Sequence, residues 1–279
     1  MPIGGVGSAG AASGDVDWSS RFDTSTAHPA RTWDYWLGGK NNFAAYREAA
    51  EQAERALPSM RLIARADREF LGNVVRYLAG SAGIRQFLDI GTGLPTADNT
   101  HEVAQRIAPE SRIVYVDNDP VVLVHARALL TSSPQGKCDY IDADLRAFDK
   151  ILDQAAATLD FSQPVAIMLL GILLYVPDAD DPHGIVARLL AAVPSGSHLA
   201  ISHGASDIDP DRSVDFTRIY NERSAVPFTL RSRVEVTRFF DGTDLIEPGL
   251  VQVHRWRTSP QTPGYDNDLI TYCGLGRKT

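Results

Sequence analysis

An alternation of strand-like and helical segments from residue 84 onward limits the fold of this chain most strongly. Short apolar runs are separated by segments whose apolar residues have helical spacing; the runs are RQFLDI, RIVYVDN, CDYIDA, PVAIMLL and SHLAIS. Because parallel strands need a crossover connection, this alternation is typical of a parallel sheet with helices on both faces. DLIEPGLVQVHRW and DLITYCGLG then predict a terminal strand pair. We therefore expect a doubly wound α/β sheet whose last strand is antiparallel.

Upstream of the sheet, residues 29–80 have a helical pattern. GGKNNF separates a short aromatic helix from a longer one, FAAYREAAEQAERAL. The next segment has one apolar stripe at three- and four-residue steps, formed by Leu62, Ile63, Ala66, Phe70, Val74, Tyr77 and Leu78. The first twenty residues are rich in Gly, Ala and Ser and do not resemble a signal peptide. We predict a flexible tail (1–20), a helical lid segment (21–80) and a ligand-binding domain (81–279).

Composition narrows the classes of partner. The net charge of -8 argues against broad contact with nucleic-acid phosphates, which usually requires a basic surface. The two cysteines, Cys138 and Cys273, lie far apart without metal-ligand spacing, so we expect neither a zinc site nor a disulfide framework. The longest apolar run, VAIMLLGILLYV, is too short to span a bilayer. We expect a cytoplasmic protein that binds neither nucleic acid nor membrane.

The loop Gly91-Thr92-Gly93 follows the first predicted strand. In a doubly wound sheet this loop contacts the ligand, and glycine lets the backbone approach closely. A dinucleotide fingerprint has a third glycine where this chain has Thr96. Asp89, two residues before the loop, would repel a pyrophosphate but attract a cation. S-adenosylmethionine carries an ammonium and a sulfonium and no phosphate, so it fits better than a dinucleotide.

Carboxylates also end the next two predicted strands. Asp117 lies where an acidic residue accepts hydrogen bonds from ribose hydroxyls, with Asn118 beside it. Asp144 and Leu145 would suit the amino group and the ring face of adenine. Asp117 or Asn118 could instead cap the following helix, although Asp119 directly precedes its first residue, a proline, and is the better cap. Together the three strand ends predict one nucleoside site.

These residues resemble a known family. LDIGTGLPTADNTHEVAQ, VYVDNDPVVLVHARALL, YIDADLR and IMLLGILLYVPD are similar to motifs of class I methyltransferases. With HPARTWDYWLGGKNNFAAYREAAEQ they closely resemble the actinobacterial S-adenosylmethionine-dependent methyltransferase family long catalogued as a domain of unknown function. The likeness runs from about residue 22 to the end of the chain.

The resemblance implies a Rossmann-like, seven-stranded class I sheet with an antiparallel last strand, an added N-terminal helical segment, and S-adenosylmethionine as methyl donor. It implies no particular acceptor. LGILLYVPD stands where methyltransferases of nucleic-acid amines have Asp/Asn-Pro-Pro-Tyr. We therefore expect a small-molecule acceptor of unknown identity.

Transfer from a sulfonium is an in-line displacement that needs alignment, exclusion of water and no metal. Segment 31–43 is the predicted cover, in which Arg31 would pair with the methionine carboxylate of the donor. Tyr35 is expected to contact the donor, and Gly39 and Asn42 the donor or the substrate. A surface ion pair is the alternative for Arg31. The aromatic residues of this segment could equally anchor the N-terminal helices on the sheet.

An oxygen or neutral nitrogen acceptor would benefit from a general base. His203, at the end of the fifth predicted strand, is the best-placed histidine, and His101 is the second. Tyr175, after the fourth strand, is expected to line the acceptor pocket and is the second candidate catalytic residue beside His203. A lone histidine is more often structural. Because no base is obligatory, a non-catalytic sensor of S-adenosylmethionine or S-adenosylhomocysteine stays open; an NAD(P)-dependent oxidoreductase is disfavoured by Thr96 and Asp89.

Overall fold

A computed structural model of the chain describes residues 29–40, 44–129, 131–222, 224, 226–257 and 268–279. The predicted tail and Asn42 lie outside these residues. Within them, eight strands form one sheet: β1 (Gln86–Ile90), β2 (Arg112–Asp117), β3 (Lys137–Asp142), β4 (Ala166–Leu170), β5 (His198–Gly204), β6 (Thr243–Leu245), β7 (Val251–Gln252) and β8 (Thr271–Lys278).

The α-helices of the described chain surround this sheet. They are α1 (Pro29–Trp36), α2 (Ala44–Ala56), α3 (Met60–Arg76), α4 (Thr100–Ile107), α5 (Pro120–Leu129), α6 (Phe148–Ala155), α7 (Pro182–Ala191), α8 (Pro210–Asn221) and α9 (Arg233–Arg238). Among the residues described, no helix combines the length and the apolar character needed to cross a membrane.

The strand order is β3-β2-β1-β4-β5-β8-β6, with β7 also paired to β8. Strands β1 to β5 are parallel, whereas β8 runs antiparallel to β5, β6 and β7. The expected α/β sheet with an antiparallel last strand is therefore confirmed. The described sheet has eight strands rather than seven because the two-residue β7 adds to β8 beyond the stretch that pairs with β6.

Alternation along the buried strands builds an apolar layer on each face of the sheet. Phe87 and Met168 pack in one layer with the buried side of α3, while Leu88 and Ile167 pack in the other with α6 and α7. Successive strand side chains point to opposite faces, so each central strand supplies both layers. This double coverage explains why the central strands read as continuous apolar runs.

Two details differ from the sequence expectation. Leu62, which the predicted stripe of α3 included, is 38% exposed, because the buried side of that helix is centred on residues such as Ile63, Phe70 and Val74. Helix α8 was not predicted, although it begins with a recognisable signal. The side chain of Asp209 accepts a hydrogen bond from the N–H of Arg212, and a proline takes the first helical position.

Candidate active site

A cavity of about 180 Å³ lies at the carboxyl ends of β1, β2, β3 and β4, with α1 and α3 as further walls. Ligands of doubly wound sheets bind at this edge. The cavity brings together nine of the residues expected from the sequence, namely Asp89, Gly91, Thr92, Gly93, Asp117, Asn118, Asp144, Leu145 and Tyr175.

The glycine loop is held against the end of β2. Gly91 has a φ of +80°, and its N–H donates to the carbonyl of Val116 at 2.8 Å. A Cβ on Gly91 would stand 2.7 Å from the side chain of Ile172. Gly93, with a φ of +67°, donates its N–H to Oδ2 of Asp117 at 2.8 Å. Because both positions need a left-handed backbone, glycine allows the tight approach of loop and strand.

Asp89 is the penultimate residue of β1, next to this loop, and is 5% exposed. Its Oδ2 accepts a hydrogen bond from Oγ1 of Thr100 at 2.6 Å. Burial raises the pKa of Asp89 to about 6, and the Thr100 hydroxyl and the Arg68 guanidinium oppose that rise. A cation bound next to Asp89 would stabilise the ionised form, so this position favours a positively charged ligand group.

Asp144 lies at the far side of the cavity in a network of its own. Nδ2 of Asn118 donates to Oδ2 of Asp144 at 3.1 Å, and Nη1 of Arg146 lies 3.0 and 2.9 Å from the two carboxylate oxygens. Arg146 also donates from Nε to Asp180 at 2.6 Å. Leu145, which lies between Asp144 and Arg146 in the sequence, is buried. Arg146 was not among the site residues expected from the sequence, although it lines the cavity two positions after Asp144.

The structure corrects the role expected for Arg31. Nε and Nη2 of Arg31 donate to the two carboxylate oxygens of Asp119 at 3.0 Å each, and both side chains are buried. Oδ1 of Asp119 also accepts from the N–H of Val121, so Asp119 is the helix cap that the sequence indicated. Arg31 therefore forms a buried ion pair within the protein. It is neither a surface pair nor part of the cavity wall.

Tyr35 and Gly39 also lie away from the cavity wall. The hydroxyl of Tyr35 donates to Oε1 of Glu51 at 3.2 Å, and a side chain at position 39 would overlap the carboxylate of Asp34. The reason is helical periodicity. Residues 31 and 35 share one face of α1, whereas the lining residues Ala30, Trp33, Asp34 and Leu37 share another.

Neither expected histidine lines this cavity, although His203 lines a smaller cavity next to it. Nδ1 of His101 lies 2.8 Å from the hydroxyl of Tyr115, and burial lowers the pKa of His101. His203 lies at the carboxyl end of β5 as its penultimate residue, but its Nδ1 lies 2.8 Å from the carbonyl of Gly204 and its Nε2 2.9 Å from Nη1 of Arg231. Burial lowers the pKa of His203 to about 3. Both rings are hydrogen-bonded parts of the core, which corrects the assignment of His203 as a base in this site.

Two charged residues of α3, Asp67 and Arg68, line the cavity and were missed. Asp67 interrupts the predicted apolar stripe of the helix, which is a sequence signal that could have revealed it. Nη2 of Arg68 donates to the carbonyls of Ala97 and Asp98 at 2.9 and 3.2 Å. Burial lowers the pKa of Arg68, and the charge of Asp89 opposes this effect. A guanidinium at this position suits a ligand carboxylate.

The charges of the wall indicate which ligands fit. Among the lining residues that the structure describes, five carboxylates face two guanidinium groups. They are Asp34, Asp67, Asp89, Asp117 and Asp144 against Arg68 and Arg146. An excess of carboxylates repels a pyrophosphate and attracts a cation. The wall therefore fits a ligand that carries a positively charged group.

Two solved structures resemble this chain over nearly its whole length. A DUF574 family protein from Streptomyces avermitilis MA-4680 is 44% identical, with 92% of this chain and 99% of that chain covered and a TM-score of 0.89. A protein from Thermobifida fusca YX is 39% identical, with 92% and 96% covered and a TM-score of 0.83. Mitomycin 7-O-methyltransferase MmcR, at 16% identity and a TM-score of 0.51 over 90% of this chain and 69% of that one, shares the fold alone.

A search of curated proteins found no match. A family model described as S-adenosyl methyltransferase matches residues 16–279, which is almost the entire chain. This match confirms the resemblance inferred from the motifs and agrees with the wall of carboxylates at the strand ends. The chain therefore belongs to the S-adenosyl methyltransferase family, whose methyl donor is S-adenosylmethionine.

Proposed function

We propose that this enzyme transfers the methyl group of S-adenosylmethionine to a small molecule bound in the cavity at the carboxyl ends of β1 to β4. The observation that carries the proposal is the convergence of Asp89, Asp117 and Asp144, from three strand ends, on one cavity. Direct displacement requires only an aligned acceptor and a site without competing water. No metal takes part in the proposed reaction.

Each strand end has a proposed task in holding the donor. Asp117 accepts hydrogen bonds from the ribose hydroxyls, and Asp144, Asn118 and Leu145 surround the adenine. Asp89 faces the ammonium of the methionine part, next to the glycine loop. Arg68 takes the methionine carboxylate, a role that was expected of Arg31 from the sequence. The donor supplies a methyl group activated by the sulfonium, and the protein supplies position and charge.

The opposite wall, formed by α1 and the segment after β4, would cover the reacting groups. Nε1 of Trp33 donates to the hydroxyl of Tyr175 at 3.2 Å, which joins these two parts of the wall. Aromatic faces next to a sulfonium stabilise its charge. Burial raises the pKa of Tyr175 well above its usual range, so the phenol stays protonated and acts as a wall rather than a base.

Replacement of Asp117 tests the donor site. Asp117→Ala should weaken binding of S-adenosylhomocysteine by about 1–3 kcal/mol in calorimetry, because buried hydrogen bonds lose their acceptor. Asp142→Ala is the matched control, since Asp142 is the neighbour of Asp117 in the β2–β3 register and does not line the cavity. Unchanged affinity in Asp117→Ala, or equal losses in both variants, would contradict the proposed site.

The acceptor class needs a second experiment. Methyl-labelled S-adenosylmethionine is incubated with the enzyme and with separate small-molecule, protein and nucleic-acid fractions of a cell extract. We expect label in the small-molecule fraction. Transfer confined to protein or nucleic acid would refute the small-molecule assignment and leave the donor site intact.

A further inference from the structure

Asp67 lies where two cavities meet. It lines the large cavity and also a smaller one of about 20 Å³, and Trp33 and Gly171 line both as well. A Cβ on Gly171 would stand 3.6 Å from Cζ2 of Trp33 and 3.9 Å from Oδ2 of Asp67. The carboxylate, the indole and the backbone after β4 are therefore close neighbours. This junction is on the side of the covering wall, away from the strand ends β2 and β3.

Two buried polar atoms at this junction lack a hydrogen-bond partner among the described residues. They are Oδ1 of Asp67 and Oγ of Ser202, and both residues line the smaller cavity. Buried polar atoms of folded proteins nearly always have a partner. Asp89, in contrast, has the hydroxyl of Thr100. The hydroxyl of Ser202 lies close enough to Asp67 to lower its pKa, but neither Oδ1 of Asp67 nor Oγ of Ser202 makes a hydrogen bond of good geometry. These oxygens therefore indicate a ligand group that donates hydrogen bonds.

The size of the smaller cavity and the charge of the surrounding walls indicate what kind of ligand group fits there. The smaller cavity has room for about one water-sized group, which is also the size of an ammonium head. Its remaining walls are largely apolar, with Met60, Ile63 and Phe228 among them. The five carboxylates against two guanidinium groups of the large cavity favour a cationic ligand over a neutral or anionic one.

The acid strength of Asp67 agrees with a proton-accepting role. Burial raises the pKa of Asp67 to about 6, and the hydroxyl of Ser202 and the guanidinium of Arg68 oppose the rise. Such a carboxylate is ionised at neutral pH. It accepts a proton more readily than an ordinary aspartate does.

We propose that Asp67 is the acceptor-binding catalytic residue and that the methyl acceptor is an amine, held as its ammonium ion between Asp67 and Ser202. This inference rests on the proposed function, because it places the acceptor next to a donor held at the strand ends. The body of the amine occupies the large cavity beside Trp33, and its nitrogen points toward the smaller one.

The chemistry balances with the groups present. A proton passes from the ammonium nitrogen to the Asp67 carboxylate, which frees the nitrogen lone pair. That pair forms the bond to the methyl carbon while the carbon–sulfur bond of the donor breaks and its electrons stay on sulfur. The products are a methylated ammonium ion and S-adenosylhomocysteine. Asp67 then releases its proton to solvent, so one proton leaves per turnover.

Calorimetry on enzyme saturated with S-adenosylhomocysteine tests the assignment. The probes are benzylamine and butylamine, each compared at pH 8 with the alcohol and the carboxylate of the same skeleton. We expect the wild-type enzyme to bind the amines at least tenfold more tightly than the alcohols, by analogy with other charge-assisted hydrogen bonds. Asp67→Asn should abolish this preference. No preference for amines in the wild type, or a preference that survives in Asp67→Asn, overturns the proposal.

Two further measurements distinguish a specific acceptor contact of Asp67 from a general effect of charge and from a role in donor binding. Glu69→Gln removes an exposed carboxylate of the same helix that lines neither cavity, and it should keep the amine preference; loss of the preference there would mean a general effect of charge and would overturn the specific contact. Asp67→Asn should bind S-adenosylhomocysteine within twofold of wild type and melt at the same or a higher temperature, since an unpaired buried charge is removed. A large loss of S-adenosylhomocysteine affinity would place Asp67 in the donor site. That outcome overturns the acceptor assignment alone, whereas an unaffected Asp117→Ala overturns the donor site itself.

Discussion

Arg31 and Asp119 form a two-point ion pair that joins α1 to the beginning of α5, with both N···O distances at 3.0 Å. Their side chains are 2% and 0% exposed. Asp119 also caps α5 at the N–H of Val121. The opposite face of α1 forms part of the cavity wall. The ion pair therefore holds this part of the wall in position from the side that faces away from the cavity.

Loss of this ion pair should destabilise the protein strongly. We expect Arg31→Ala to lower the free energy of unfolding by about 3–5 kcal/mol, because the buried carboxylate of Asp119 loses its two-point contact with the guanidinium. Arg212→Ala is the control, since Arg212 pairs with Asp209 at the surface at 3.5 Å. Such a surface pair contributes about 0–1 kcal/mol. Urea denaturation measures both, and similar losses would contradict a structural role for the Arg31 pair.

The glycine loop offers a test of close packing. Gly91→Ala should lower both stability and the affinity for S-adenosylhomocysteine, because a φ of +80° and the side chain of Ile172 both oppose a methyl group there. Gly83→Ala is the control, since Gly83 has a φ of +69° and open space around it. Gly83→Ala should lower the free energy of unfolding by about 1–3 kcal/mol, which is the cost of the backbone strain alone. Its affinity for S-adenosylhomocysteine should be normal. Normal affinity in Gly91→Ala would separate the loop from the donor site.

The raised pKa of Asp89 predicts a pH dependence of ligand binding. Below a pKa of about 6 the carboxyl of the free enzyme is increasingly protonated, so a bound ammonium loses its counter-charge. We expect the affinity for S-adenosylhomocysteine to fall about tenfold between pH 7.5 and pH 5. Asp89→Asn should bind more weakly at pH 7.5 and show little further loss. Circular dichroism confirms folding at both pH values, and identical pH profiles would exclude Asp89 as the responsible group.

His203 should affect stability and leave the binding of S-adenosylhomocysteine intact, since it does not line the donor cavity. Its folded-state pKa, about 3, lies below the ordinary value of 6.5, so the unfolded chain binds the proton more readily. The stability contributed by the neutral ring is present above pH 6.5 and is lost as the pH falls. The destabilisation caused by His203→Asn should therefore shrink by about 2 kcal/mol between pH 7 and pH 5 in urea denaturation. A pH-independent difference would show that the ring is not neutral in the folded protein.

Much of the fold was predictable because it depends on local patterns. The order of apolar runs and helical segments predicted the parallel strands β1 to β5, and their carboxyl ends necessarily share one edge. Asp89 and Asp117 are the penultimate residues of two of those runs and Asp144 directly follows a third, so their convergence followed from topology alone. Helix α8 was missed because its apolar residues are few and its burial depends on packing against α2.

The amino-acid sequence by itself determined the strand-end half of this site and the family of the protein, since both are written in short contiguous motifs. Only the tertiary structure decided which face of α1 meets the cavity, and it turned Arg31 toward Asp119. It also brought the ring of His203 within hydrogen-bond distance of Arg231 and placed Asp67 at the junction of two cavities. The physical reason is that side-chain partners 28 to 88 positions apart are chosen by how helices pack on a sheet, and no local pattern encodes that choice.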